Sequence, residues 1–574
     1  MKTGAGAGRT TTMTGRGPWY GAQRWWRLLA GVLALALMTP GAGRAAEDVP
    51  GGLLLPPLRT DRSAGYAAEH DPNALMLPPL KTGSDAGRAA EPLAAASVSA
   101  ALKADWGPAY AAAPVAAAPP PPAPESLWGT GSGKSYLIPA LEISAFLWLL
   151  NRYDRYVYGN DVYGTDWNTS WQNVTTGRWV LDTDPFGMNM IMHPYMGSIN
   201  YGFARSAGLD YWVSLGYTFA ASFVWETSGE TGPPSINDQI MTGIGGSFLG
   251  EALFRMASYV LEDGKPGFWR ELGAAAISPP TGLNRLAFGK RFKSVWVSND
   301  PAVFTRLRLG ASLISHVSDQ NVKTTVHKAE ATGDFSMAYG LPGKPGYQYE
   351  RPFDYFDFQF TVVGSRGNAF ENIMSRGLLY GAKYSAGNDS YRGVWGLYGS
   401  YDYISPEIFR VASTALSVGT TAQWWLSRSV ALQGSALGGV GYGAAGTIEA
   451  VGDPAEGERD YHFGVCPQAL LALRFLFGKA AMLDLTGREY YVSGVGSDDR
   501  HGSERIFRGN ASLTVRVYGR HALGIQYVQS RRSAYYAEIP NRHQEVETFS
   551  IAYNYLGDTR FGAVEWRDVY AGRR

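Results

Sequence analysis

The chain has 574 residues, with 51 Lys and Arg against 50 Asp and Glu and a formal net charge of +1. That balance supplies no field for nucleic acid, and a single cysteine, Cys466, excludes an internal disulfide and a cysteine metal cluster. A mean hydropathy of −0.16 with 34 Tyr, 17 Trp and 71 Gly is too polar for a bundle of membrane helices and suits strands that are wet on one face only.

Arg24 and Arg27 precede an apolar run from Leu28 to Met38, which Pro40 ends before the small residues Gly43 and Ala45. A basic segment, a short apolar core and a small-residue cleavage site predict an export signal peptide over 1–46. Residues 47–127 are rich in Ala and Pro and predict a disordered or extended periplasmic linker. Within it, Leu-Pro-Pro-Leu recurs at 55–60 and 77–82, each time followed by a cation and Thr. Such a stiff element suits the groove of a periplasmic protein; duplication within low-complexity sequence is the plainer reading. Gly129 to Ser135 imitates a phosphate loop, but Trp128 stands where its first glycine belongs, so the segment reads as a joint.

From 128 to 290 the apolar period becomes helical. Helices are expected over 136–158, 211–226, 235–261 and 268–277, with Leu137, Leu141, Ala145, Trp148 and Leu149 along one side of the first. Residues 159–177 read as turns, and a further helix runs through Tyr201 to a stop at Gly208. Ser235 with Asp238 predicts a capping box. Polar residues gather on these apolar helices: His193, Tyr201, Arg205, Trp225, Glu226, Asn237, Asp238, Glu251 and Arg255. Arg205 has Glu226 or Glu251 as its partner, and a buried network locking the helices is the principal expectation, because an unpaired buried carboxylate is costly. His193, Ser235 and Asp238 form the alternative, a hydrolase triad; Ser235 lacks the Gly-x-Ser-x-Gly elbow and sits where a helix cap is needed. His193, Glu226, Asp238 and Glu251 have a metal's donor types without a metalloprotease spacing, so neither metal nor cofactor is expected.

The series Asp184-Pro185-Phe186-Gly187, His193-Pro194, Tyr201, Ala204-Arg205, Trp225-Glu226, Pro234 to Asp238 and Gly250-Glu251 resembles the core of an uncharacterised family of Gram-negative envelope proteins. The resemblance implies a domain of unknown function followed by strand-rich sequence, and brings no catalytic residues.

From 291 to 574 the pattern alternates one residue at a time, as in Tyr355 to Val362 and Asn510 to Val517. About 12 strands are expected between 303 and 556, an even number that fits a bacterial outer-membrane β-barrel in contact with lipid. Parity assigns Arg306, Arg308, Asp357, Lys383, Asp402, Arg474, Asp484, Arg488 and Arg516 to the lumen, since a charge facing lipid costs ~2–4 kcal/mol at mid-membrane. The fold class is therefore α+β: a helical domain at the periplasmic mouth, capping or plugging a salt-bridged barrel, with a structural or transport-assisting role in the envelope. An outer-membrane lipid hydrolase or acyl-modifying enzyme is the alternative.

Overall fold

The computed structural model describes residues 134–566 except 183, 263–266, 293–295, 321, 327–329, 365–368, 387–389, 449–460, 496–501 and 538–539. The expected export signal and the linker with its Leu-Pro-Pro-Leu copies lie outside the described residues.

The helical part comprises α1 (Leu137–Tyr158), α2 (Asn160–Tyr163), α3 (Trp167–Thr176), α4 (His193–Ser206), α5 (Tyr211–Ser228), α6 (Ile236–Ile240), α7 (Gly246–Glu262), α8 (Phe268–Ile277) and α9 (Pro279–Ala287). Two wide π-turns, Met188–Met192 and Met241–Gly245, lead into α4 and α7. Local chemistry sets the starts: Asp210 accepts from Val213 N at 3.0 Å and Ser235 Oγ from Asp238 N at 3.2 Å. Helix α3 falls where turns were expected; Asp166 caps it, and Trp167 stacks on Trp171 one turn later. Pro279 and Pro280 follow α8 and open α9, where their missing N–H groups cost nothing.

The strands are β1 (Val303–Asp319), β2 (Val322–Val326), β3 (Glu330–Tyr339), β4 (Phe356–Val363), β5 (Phe370–Ala386), β6 (Tyr391–Ile404), β7 (Phe409–Trp425), β8 (Val430–Thr447), β9 (Tyr461–Phe477), β10 (Ala481–Val492), β11 (Gly502–Tyr518), β12 (His521–Tyr536) and β13 (Arg542–Leu556). All pairings are antiparallel, and β13 returns to pair with β1. Because β2 and β3 lie end to end along β1, the sheet closes as a 12-strand barrel. Closure leaves the barrel without a free strand edge.

Contacts between distant strands identify the inside. Arg306 on β1 meets Asp484 on β10 at 2.8 Å, Arg488 on β10 meets Asp402 on β6 at 3.5 Å, and Arg508 on β11 meets Glu371 on β5 at 2.5 Å. Residues of the opposite parity therefore face outward. On one side of the barrel they are open and aliphatic: Val418 is 65% exposed and Leu471 52%. On the other side they are covered. Leu307, Phe335, Phe360, Ile373, Tyr403, Ala412, Ala444 and Phe463 are successive register partners across β1 and β3–β9. They form one outward row, and all but Phe360, which is half-buried, are buried.

The helical part covers this row and its neighbours. Ser375 Oγ donates to Phe248 O at 2.7 Å, Asn189 Nδ2 donates to Tyr461 Oη at 2.9 Å, and Trp212 stacks on Tyr380 at 5.6 Å. A Cβ on Gly399 would come within 2.3 Å of the Phe248 ring, so the wall approaches α7 closely there. The expected cap or plug is thus corrected: the described helices pack on the outer wall. The lumen has no space for them. Its middle is occupied by ion pairs, and at the end where β1 begins it holds Phe304, Leu341, Tyr355, Phe561 and Val564.

Candidate functional site

The polar residues of the helical part separate into two groups. The first is a structural latch. Glu251 on α7 accepts from Tyr201 Oη at 2.8 Å, Arg205 Nε at 2.8 Å and Arg255 Nε at 2.7 Å. Arg255 then reaches Asp354 Oδ1 at 3.0 Å, in the connection between β3 and β4, while its guanidinium lies 4.1 Å from the Trp296 ring. Of the two partners expected for Arg205, the structure selects Glu251.

Glu226 is left in the second group, with His193 and Asp238. One donor atom from each of the three lies within 4.8 Å of the others, and all three residues are buried. The chain brings them together through the two π-turns: His193 directly follows the first, and Thr242, its partner, lies in the second. Such wide turns are frequent at functional sites. Gly197 lets the two segments meet, since a Cβ there would stand 2.1 Å from Thr242 O.

His193 Nδ1 lies 3.1 Å from Thr242 Oγ1, and Nε2 lies 3.8 Å from Asp238 Oδ1. Asn237 Nδ2 donates to Asp238 Oδ1 at 2.9 Å, and Ser235 N donates to Glu226 Oε2 at 2.9 Å. The capping box is therefore shared: Ser235 Oγ serves Asp238 N, but Glu226 rather than Asp238 takes the Ser235 N–H. The other oxygen, Glu226 Oε1, is buried without a hydrogen-bond partner.

Among the described residues, neither Glu226 nor Asp238 pairs with Lys or Arg. Burial, then neighbouring Glu230 for Glu226 and Glu226 for Asp238, pushes both carboxyls well above their ordinary range. Burial, then Asp184, raises Glu230 to about 8, and burial, then Asp182, raises Asp184 to about 7. Burial pulls His193 down to about 4, against the opposing pull of Asp182. At neutral pH the imidazole is neutral and the cluster retains protons.

The hydrolase triad does not assemble. Ser235 Oγ donates to Asn237 Oδ1 at 2.9 Å and accepts from Asp238 N, so its proton is not directed at an imidazole. Trp225, expected in the network, instead donates Nε1 to Glu230 Oε1 at 2.8 Å. Glu230 was missed because it sits in a Gly-rich turn after α5 with no periodic neighbours.

In the barrel, Arg306 and Arg474 both bond Asp484, at 2.8 and 2.7 Å. Arg376 and Arg488 both face Asp402, at 3.1 and 3.5 Å. Arg308 bonds Ser512 Oγ at 2.8 Å, and Tyr355 donates to Asp357. Lys383 and Arg516 lie apart from this chain of pairs: Lys383 donates to Tyr347 O at 3.2 Å, and Arg516 to the turn carbonyls of Lys479 and Gly519.

Residues 178–280 match the family model described as a domain of unknown function, DUF3943. This segment contains the motifs from Asp184 to Glu251 and both polar groups. No curated protein matches the chain. Among solved structures, it is similar to the outer membrane channel DcaP of Acinetobacter baumannii, with 8% identity over 44% of this chain and 96% of that one, at a TM-score of 0.19. It is also similar to a loop-deletion mutant of OmpT, an outer membrane protein of Vibrio cholerae, with 12% identity over 44% and 98% and a TM-score of 0.18. A third, the CymD monoaromatic hydrocarbon channel, matches with 9% identity over 48% and 92% and a TM-score of 0.18.

Proposed function

We propose that the protein is a non-conducting outer-membrane barrel that carries a helical domain on its lipid-side wall, with a structural or transport-assisting role in the envelope. The observation that carries this reading is the filled lumen. Two arginine–aspartate–arginine clusters occupy its middle. The segment after β13 closes one end: Gln423 Nε2 donates to Val564 O at 2.7 Å, and Gln433 Nε2 to Gly562 O at 2.7 Å. Ile404, Phe409, Val411 and Tyr490 belong to an apolar cluster toward the other end.

The chain enters β1 and leaves β13 at the end with short connections, such as 426–429 and 519–520. In bacterial barrels that end is periplasmic, which supports a periplasmic origin for the linker and the helical domain. The exposed side of α1 carries Leu137, Leu141, Trp148 and Leu149, and Trp212 and Phe223 are exposed on α5. Helices that are apolar outward and polar inward suit a lipid boundary. No described helix is long and apolar enough to cross a membrane.

Planar-bilayer recording tests the reading. Refolded full-length chain is expected to insert without single-channel steps. Regular conductance steps from the folded, heat-modifiable form would contradict a filled lumen.

A further inference from the structure

The buried group beside the first π-turn has the composition of a metal centre, and this goes beyond any role of the barrel. Three features coincide: an imidazole and two carboxylates whose donor atoms lie within 4.8 Å of one another, no cation paired with either carboxylate among the described residues, and a buried carboxylate oxygen, Glu226 Oε1, with no partner. Native structures seldom leave such an oxygen unsatisfied without a bound group to explain it.

We propose that His193, Glu226 and Asp238 bind a divalent transition-metal cation of the zinc class. Zinc takes nitrogen and oxygen donors at ~2.0–2.2 Å. Ligands at those distances stand about 3–4 Å apart, so closure on the ion asks for shifts of about 1 Å or less. Assigning the ring proton to Nδ1, whose partner is Thr242 Oγ1, leaves the Nε2 lone pair on the side of Asp238. Such an outer partner fixes the orientation of a metal-binding imidazole. Asn237 Nδ2 does the same for Asp238 Oδ1, and Ser235 N for Glu226 Oε2. A single histidine with carboxylates disfavours copper and thiophilic metals, and the small ligand number disfavours calcium.

The test uses the full-length chain, refolded in detergent, stripped with chelator and titrated with Zn²⁺. One Zn²⁺ per chain is expected. Glu226→Gln and His193→Gln should each weaken binding by more than about 100-fold. X-ray absorption on the zinc-loaded unsubstituted chain should show one imidazole and otherwise oxygen ligands, and this reading does not depend on any variant folding. The absence of zinc binding by the folded chain overturns the proposal, as does a first shell without imidazole or undiminished binding in both variants. Binding of Ca²⁺ or Mg²⁺ in preference to Zn²⁺ overturns the assigned class.

Discussion

Replacing Glu251 by alanine is expected to loosen α4 from α7, at a cost of ~3–5 kcal/mol. Glu251 is fully buried and is the shared acceptor for Tyr201, Arg205 and Arg255. Burial alone would raise its carboxyl, but Arg205 and Arg255 outweigh that and hold it below its ordinary value. The alanine variant loses that acceptor and leaves two buried guanidinium groups with incomplete compensation. Arg205 keeps Leu209 O, and Arg255 keeps Asp354 and Pro352 O, both on the barrel side. The pairing of α4 with α7 should therefore loosen, while the barrel and the tie of Arg255 to it persist. Limited trypsin digestion reads this: α4 and α7 become cleavable, while the barrel retains its heat-modifiable migration. Because the native carboxyl is depressed, its stabilisation is present above the unfolded value and is lost as pH falls through the native one. The unsubstituted protein should therefore become cleavable within α4 and α7 in acid, read with pepsin because trypsin is inactive there. Unchanged resistance in Glu251→Ala would show that the latch contributes little.

Asp402→Ala should weaken the barrel itself by a similar ~3–5 kcal/mol. Asp402 is 1% exposed and faces Arg376 on the neighbouring strand β5 and Arg488 across the lumen on β10. Its removal leaves two like charges in a lumen packed with side chains, and Arg488 Nη1 has no hydrogen bond even in the intact protein. The temperature at which the folded band disappears in detergent gels should fall by several degrees or more. Replacing the pair together, Arg376→Met with Asp402→Leu, should recover part of the loss, since an apolar pair avoids the desolvation penalty. If Asp402→Ala unfolds at the unchanged temperature, water hydrates those guanidinium groups and the lumen is wetter than described.

Alternation at period two made the barrel legible. About 12 strands expected between 303 and 556 become the 12-strand barrel, and the inward parity of Arg474 and Asp484 follows from the same pattern. Strand β2 was missed because β1 has two successive partners on one side, and local pattern does not reveal that one row is divided between two segments. The sidedness of the helices was less legible. The expected apolar face of α1, with Leu137, Leu141, Trp148 and Leu149, proves to be the exposed one, while Ile143 and Leu147 are buried. Spacing identifies an apolar face, but it does not say whether protein or lipid covers it. The docking surface did leave a trace. Outward positions beneath the helices hold Tyr401, Tyr403, Phe358 and Gly399, whereas open outward positions hold residues such as Leu471, Val418 and Ile551. In the polar network, spacing placed Tyr201 with Arg205 and Glu251 with Arg255. The division into a latch and a separate histidine–carboxylate group depended on how α4 and α7 cross.

The position of the helices is tested most directly by a disulfide. A Cβ built on Gly245, at the end of the second π-turn, lies 3.8 Å from Thr414 Cβ on β7, within the ~3.5–4.5 Å that a disulfide spans. Thr414 pairs with Tyr401 and faces outward, while Ser413 faces the lumen and bonds Gln468 at 2.7 Å. Gly245→Cys with Thr414→Cys should oxidise to an internal bridge in the folded protein, and Gly245→Cys with Ser413→Cys should not. A bridge to position 413 without one to 414 would put the helices inside the barrel and contradict the account.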